Sequence, residues 1–419
     1  MLEVLKGNIV HLPKFGQYET IKKGYLVLED GVIQGTFETL PEYYANAEIK
    51  DYGDKIITQA FCDLHLHAPQ FPMMGMGLDL PLLDWLNTYT FKTESTYKDT
   101  DFARRVYRSL AKELIRQGTT RVSIFSSLHR EGTLILMEEL EKAGITGYAG
   151  KVNMDRNSQP CLEESTEESR EETLRWLEEC KRFTGIKPIL TPRFTPSCTD
   201  ELMAFLGKLA VERNLPVQSH LSENTAEIAW VKELHPDCEE YWETYAKYGM
   251  FKPGTIMAHC VYSSEREMTA MRENGVVVAH CPDSNINICS GFPPVRKLLD
   301  AGVKVTLGSD IAGGAELPIY RTITSAVRMS NARRIASGWT ETALTPGEAA
   351  YLGTSAGAEY FGCKPGFAKG DKLHALVLDD SNLPEPAREL ELYERYERLL
   401  YLMTAENIVA RYAEGRPVG

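Results

Sequence analysis

The sequence predicts an α/β fold: a (β/α)8 barrel with a small β-sandwich domain assembled from both ends of the chain. Three observations predict it. Eight short apolar runs that favour strands lie between residues 56 and 310, helical patterns separate them, and the first and last stretches of the chain both read as β. A length of 419 residues suits one barrel with additions, or two to three domains.

Residues 1–57 read as short strands and turns. Asp30-Gly31 between the apolar runs Tyr25–Leu28 and Val32–Ile33 is a hairpin signal, because both turn positions tolerate positive φ. Residues 58–364 are expected to form the barrel. Its strands are read at Ile56–His67, Thr119–Phe125, Gly147–Met154, Ile186–Phe194, Pro216–His220, Thr255–Cys260, Val276–Cys281 and Val303–Asp310. Helices are expected at Asp101–Gln117, Thr133–Ala143, Thr166–Phe183, Asp200–Arg213, Ser264–Asn274 and Tyr320–Ala336. An open doubly wound sheet is the rival, but no Gly-rich dinucleotide turn follows any of these strands. The acidic stretch Glu163–Lys181 reads as a solvated helix face over a buried Trp176 and Leu177. Thr345–Phe361 reads as one further helix with Pro346 in its first turn. Residues 365–419 return to β, with a strand at Lys372–Leu378 and a hairpin at Glu414-Gly415.

A net charge of −13 disfavours a nucleic-acid partner, whose phosphates need clustered Lys and Arg. No run of 18 apolar residues exists, so no membrane span is expected. Met1–Lys14 lacks the charged start and long apolar centre of a secretory leader. The nine cysteines are scattered, with no C-x-x-C pair, which argues against a disulfide framework or a zinc knuckle. The expectation is a reduced, cytoplasmic protein.

A barrel of this kind carries its chemistry at the C-terminal ends of its strands. Those ends read His65-Leu-His67, His220-Leu-Ser-Glu223, His259 and Ser309-Asp310. His65 and His67 fall on one side of their strand, since side chains alternate with period two. Three imidazoles from His65, His67 and His220, with the carboxylate of Asp310, suit Zn²⁺ or Fe²⁺ with one position left for water. Such a metal lowers the pKa of that water and makes hydroxide available as nucleophile. Glu223, three residues past a ligand, is the candidate proton shuttle. His259 is placed to polarise the attacked group or to steady the water. Asp310 is a second candidate for accepting the first proton, and which carboxylate moves which proton stays open because coupled groups titrate as a set. The rival readings are a core role for His259 and a helix N-cap for Asp310 ahead of Ile311-Ala312. His11, His129, His235 and His374 read as surface or structural.

Phe61-Cys-Asp-Leu-His-Leu-His67, His220-Leu-Ser-Glu223, Met257-Ala-His259 and Gly308-Ser-Asp310 together resemble the amidohydrolase superfamily, in particular its mononuclear metal-dependent deaminases. His67-Ala-Pro-Gln70, Leu80-Pro-Leu-Leu-Asp-Trp-Leu86, Gly150–Asp155, Thr191-Pro-Arg-Phe194, His280–Asn285 with Ser290-Gly-Phe292, and Asp310–Gly314 resemble the guanine deaminase branch more closely. The resemblance runs from about residue 56 to 361, and more faintly through both ends. It implies one zinc per chain, with iron as the alternative, and hydrolysis of guanine by water to xanthine and ammonia. It also implies a homodimer, and a purine held by Gln70, Arg193 and Phe194 beside Glu223, His259 and Asp310. The chemistry of the residues agrees: an arginine fork matches the O6 and N7 acceptors of guanine, Phe194 offers a stacking face, and Gln70 can donate and accept. Arg193 on the O6 side would turn the C2 amino group towards the metal. The rival for Arg193 is a structural pairing with a carboxylate at the barrel mouth.

Two departures from relatives stand out. Gln59-Ala60 replaces a frequent Pro-Gly, and His374 stands where aspartate is common. Among other activities, a dihydroorotase-like binuclear hydrolase would need a bridging lysine, for which Lys151 is the one barrel-strand option. Another one-metal enzyme, acting on cytosine, 8-oxoguanine or a related amino-heterocycle, is a closer rival. The cytidine-deaminase class needs P-C-x-x-C, which is absent. A non-catalytic scaffold on this fold would have lost ligands, and all four are present.

Overall fold

The computed structural model describes residues Met1–Gly419. Its strands are β1 (Leu2–Lys14), β2 (Gln17–Glu29), β3 (Val32–Phe37), β4 (Glu48–Gln59), β5 (Phe61–His67), β6 (Thr119–Phe125), β7 (Thr146–Gly150), β8 (Val152–Asn153) and β9 (Ile186–Pro188). They continue with β10 (Thr191–Pro192), β11 (Val217–Leu221), β12 (Thr255–His259), β13 (Val277–His280), β14 (Lys304–Leu307), β15 (Ala375–Leu378), β16 (Ile408–Ala413) and β17 (Arg416–Pro417).

Both chain ends share one seven-stranded sheet, ordered β17-β16-β15-β4-β1-β2-β3. Asp30 (φ 51°) and Gly31 (φ 75°) make the two-residue turn between β2 and β3, as Glu414 (φ 51°) and Gly415 (φ 76°) do between β16 and β17. β1, β2 and β4 are longer than the short strands expected there, and shifts of register in β1 bend the ladder without ending it. Leu5, Ile9, Leu26, Ile57, Val377 and Tyr412, drawn from both ends, pack into the core of this sheet.

The chain crosses from sheet to barrel at Ala60. Residues 56–59 pair with β1 and β15, whereas Phe61 pairs with β6, so the expected strand Ile56–His67 is two strands in two different ladders. The backbone N–H of Ala60 donates to His374 O, and that of Phe61 to Gly118 O, which marks the switch to within one residue.

Eight parallel strands form the barrel. β5-β6-β7-β9 and β11-β12-β13-β14 are two four-stranded ladders. A parallel bridge between Leu190 and Val217 joins them on one side. On the other, Asp310 N donates to His65 O (2.8 Å) and His67 N to Ile311 O (3.1 Å), tying the end of the last strand to the first. The two histidine-bearing and aspartate-bearing strand ends are therefore adjacent because the barrel closes there.

Helices Thr100–Arg116, Arg130–Lys142, Thr166–Glu179, Asp200–Glu212, Glu265–Glu273 and Ile319–Ala336 surround the strands. Their starts are written locally: Asp99, Ser165, Thr199 and Ser264 each accept from a backbone N–H of the first turn. Trp176 and Leu177 are buried beneath the acidic helix face. Thr345–Phe361 is two helices, Pro346–Gly353 and Ser355–Tyr360, broken at Thr354 (φ −130°, ψ −87°). The break lets Gly357 lie flat on β5, where an added Cβ would come within 2.4 Å of Cys62 Cβ. No helix is long and apolar enough to cross a membrane.

The connection from β5 to Thr100 matters most for function. It carries a 3-10 turn (Ala68–Met73), a short helix (Leu82–Trp85), a π-helical turn (Leu86–Thr90) and a second short helix (Phe91–Ser95) over the C-terminal ends of the strands.

Candidate metal centre and base pocket

All seven residues of β5 are buried, and alternation turns His65 and His67 to one side. His65 Nε2 lies 3.1 Å and His67 Nε2 3.5 Å from Asp310 Oδ1, and His67 Nε2 lies 3.2 Å from His220 Nε2. The structure thus brings together His65 and His67 from β5, His220 from β11, and Asp310 from the segment three residues past β14. Ser222 (φ 48°), His259 (φ 72°) and Asp310 (φ 48°) are left-handed non-glycine residues at these strand ends. Each such residue costs on the order of 1–3 kcal/mol, and the strain sits where the chain must turn functional side chains into the mouth.

These residues fit a metal ion. His65 is fully buried; its Nδ1 has no hydrogen-bond partner, nor has Nδ1 of His67, and its Nε2 has the Asp310 carboxylate 3.1 Å away. Such orphaned polar atoms are costly unless something else satisfies them. His67 Nε2 and His220 Nε2 face each other, and two lone pairs so placed call for a cation between them. Burial, and the proximity of the neighbouring histidines, hold His67 and His220 well below the usual imidazole range, which keeps them neutral and able to ligate. Burial works against the Asp310 carboxylate, but His65, His259 and His67 outweigh it and hold its pKa well below the usual range. His220 Nδ1 donates to Arg193 O at 2.6 Å, which fixes the tautomer that leaves Nε2 free.

Glu223 stands just past the left-handed Ser222. Its Oε1 accepts from Ser290 Oγ (2.9 Å) and its Oε2 lies 3.4 Å from His259 Nε2. Burial raises the Glu223 pKa. Burial alone would depress His259, but Glu223, Asp310 and the Asn285 hydrogen bond at Nδ1 (2.8 Å) raise it. The two side chains thus face each other across 3.4 Å.

The strand ends open into a cavity of about 430 Å³, its mouth included, lined by His67, Gln70, Arg193, Phe194, His220, Glu223, Glu227, His259 and Asp310 with Leu82, Trp85, Leu86 and Ile288. Five of the thirteen lining residues are apolar and eight are polar, a wall that suits a small heterocycle rich in hydrogen-bonding groups. Arg193 and Phe194 follow β10, and Gln70 sits in the 3-10 turn after β5. Arg193 Nη1 meets Glu94 Oε2 at 2.5 Å, so the expected rival, a pairing with a carboxylate, is present. The pairing does not withdraw the guanidinium, which still lines the cavity.

The geometry speaks against three of the rival readings: the bridging lysine, the Asp310 N-cap and a purely core His259. Lys151 Nζ donates to Glu164 Oε2 (2.8 Å) and Val152 O (3.3 Å) and is not part of the cavity wall, so no bridging lysine serves a second metal. Asp310 caps no helix, since the next one begins at Ile319. His259 lines the cavity and is not a core residue alone. His11, His129, His235 and His374 lie outside the cavity wall; His374, for example, bridges Thr120 Oγ1 and Glu414.

The sequence model of the amidohydrolase family matches residues 56–418. The chain belongs to the amidohydrolase family. This amidohydrolase is 35% identical to the guanine deaminase of Dictyostelium discoideum, over all of this chain and 98% of that one. It is 38% identical to the guanine deaminase of Rattus norvegicus over 85% of this chain and 81% of the relative. Among solved structures, it is similar to the guanine deaminase of C. acetobutylicum with guanine bound in its active site, at 41% identity, full coverage of both chains and a TM-score of 0.97.

Four polar residues of the amidohydrolase site went unassigned from sequence. Glu94 pairs with Arg193 and Gln70, Asn285 and Ser290 hold His259 and Glu223, and Asp63 accepts from Ser309 N and Oγ. Asp63, two residues before His65 on the same side of β5, is thereby a clasp between first and last strands. Asn285 and Ser290 fall inside motifs already singled out, so the signal for them existed. Glu94 lies in a stretch outside every motif singled out, and so carried no such signal.

Proposed function

We propose that this amidohydrolase is a guanine deaminase, converting guanine and water to xanthine and ammonia. The observation that carries this reading is one cavity whose wall holds Arg193 and Gln70 together with the histidine–carboxylate cluster. The relatives described above support it.

His65, His67, His220 and Asp310 would hold one divalent cation, zinc or ferrous iron. When bound, the cation supplies Lewis acidity that makes a water nucleophilic near neutral pH. Arg193 and Gln70 hydrogen-bond the O6 and N7 edge of the base, and Phe194 covers a ring face. This orientation turns C2 and its amino group towards Glu223 and His259. Glu223 takes a proton from the attacking water and passes it to the adjacent ring nitrogen as the C2–O bond forms. Its neighbour His259 steadies the attacking oxygen. The second proton of that water passes from the C2 hydroxyl to the amino nitrogen, the C2–N bond breaks, and ammonia leaves as the new C2 carbonyl forms, the ring nitrogen keeping the first proton as in xanthine. Residues 60–364 carry this chemistry, and the small β domain beside it comprises residues 1–59, two residues past the expected boundary, with 365–419. On the family resemblance we further propose a cytoplasmic homodimer.

Steady-state kinetics of Arg193→Ala test the base-binding end. Loss of charge-assisted hydrogen bonds worth about 1.5–3 kcal/mol each is expected to lower kcat/KM for guanine by about a hundredfold or more. An unchanged kcat/KM would remove Arg193 from substrate binding.

A further inference from the structure

We propose that Glu94 is the positioning residue that sets the hydrogen-bond pattern of the pocket, turning Gln70 and Arg193 into a set of N–H donors for the acceptor edge of an oxopurine. The inference rests on the function proposed above and deepens it. Glu94 is 1% exposed and stands between the two side chains, with one carboxylate oxygen on each.

Gln70 shows the logic. Its Oε1 accepts from Ala312 N (3.0 Å), and its Nε2 donates to Glu94 Oε1 (2.9 Å). Flipping the amide would set an NH2 against the Ala312 N–H and a carbonyl against a carboxylate, so only one orientation is satisfied. One Nε2 hydrogen is left, and it is a donor.

Arg193 is held twice by one short helix. Glu94 Oε2 takes Nη1 at 2.5 Å, and the ring of Phe91 lies 5.3 Å from the guanidinium carbon. Phe91 and Glu94 are three residues apart in Phe91–Ser95, the spacing that puts two side chains on one helix face. Edge and face are both fixed, leaving the other N–H groups of a planar fork for a ligand. The negative charge of Glu94 also balances the buried guanidinium, so the pocket offers donors without a net positive charge.

A pocket built of donors takes the O6 and N7 acceptors of guanine and opposes an exocyclic amino group at the same place, as in adenine. Discrimination of this kind is strong because a mismatched base leaves buried polar groups unpaired.

The test uses the full-length, zinc-loaded protein and two bases that lack a 2-amino group, hypoxanthine, with its 6-oxo group, and unsubstituted purine. Direct binding by calorimetry needs no turnover. In the wild type, hypoxanthine is expected to bind at least about tenfold more tightly than purine. In Glu94→Gln the gap is expected to close to about threefold or less, with purine affinity and zinc content unchanged. Glu94→Asp keeps the charge but not the reach, and is expected to show an intermediate gap; it carries the test where Glu94→Gln does not fold. A gap that persists in the variants, or equal weakening of both bases, overturns the inference. Guanine turnover by the wild type is measured alongside, so a failure of the proposed function is seen separately from a failure of the role of Glu94.

Discussion

Glu223→Gln is expected to lower kcat for guanine by about 10²–10⁴-fold while leaving zinc content unchanged. Glutamine has the size of glutamate and still accepts from Ser290 Oγ through its carbonyl, so the cavity keeps its shape. What it loses is the ability to take a proton from water and return it to the substrate. Glu223 belongs to neither cluster whose donor atoms lie close enough to share an ion, His65–His67–His220 and His65–His259–Asp310, so metal retention is not expected to suffer. Metal analysis with steady-state kinetics checks both halves. A variant of near-normal kcat would transfer the proton role to Asp310 or His259.

Removing the metal has an effect of similar size by a different route. Dialysis against a chelator is expected to abolish turnover, and added zinc to restore it. The stripped protein is also expected to melt at lower temperature, because a ligand that binds only the folded state stabilises it, by about 2.7 kcal/mol at a hundredfold excess over Kd. His220→Ala is expected to reproduce the loss irreversibly. It deletes one ligand and leaves the carbonyl of Arg193 without the Nδ1 donor that now fixes it at 2.6 Å. Full activity in chelated, metal-free protein would refute the metal assignment.

The barrel was legible because its strands are short, apolar and regularly separated, and because the histidines and the aspartate of the candidate metal site follow strand ends. Where reading faltered, physical causes are identifiable. Ile56–His67 is uniformly strand-favouring, and its division at Ala60 depends on which neighbours pair with each half, which is tertiary information. The break at Thr354 follows Gly353, a glycine that a helix can also carry in its interior, and it coincides with the close approach of Gly357 to Cys62. The four residues placed as metal ligands could be collected because the barrel rule turns sequence position into spatial position. Glu94 could not, since it reaches the site from an irregular connection and meets Arg193 across ninety-nine positions of chain. Arg193 itself carries both of the meanings weighed for it, a carboxylate partner and a place in the cavity wall, and the two are compatible once Glu94 is seen to orient it.

The most direct test is to mix the zinc-loaded protein with guanine and follow ammonia release together with xanthine absorbance, with adenine, cytosine and 8-oxoguanine in parallel. Rapid, stoichiometric formation of xanthine and ammonia from guanine, with adenine and cytosine left intact, is the predicted result. Turnover of another of these amines with none of guanine would contradict it, and would show that the donor end built from Arg193 and Gln70 serves a different base.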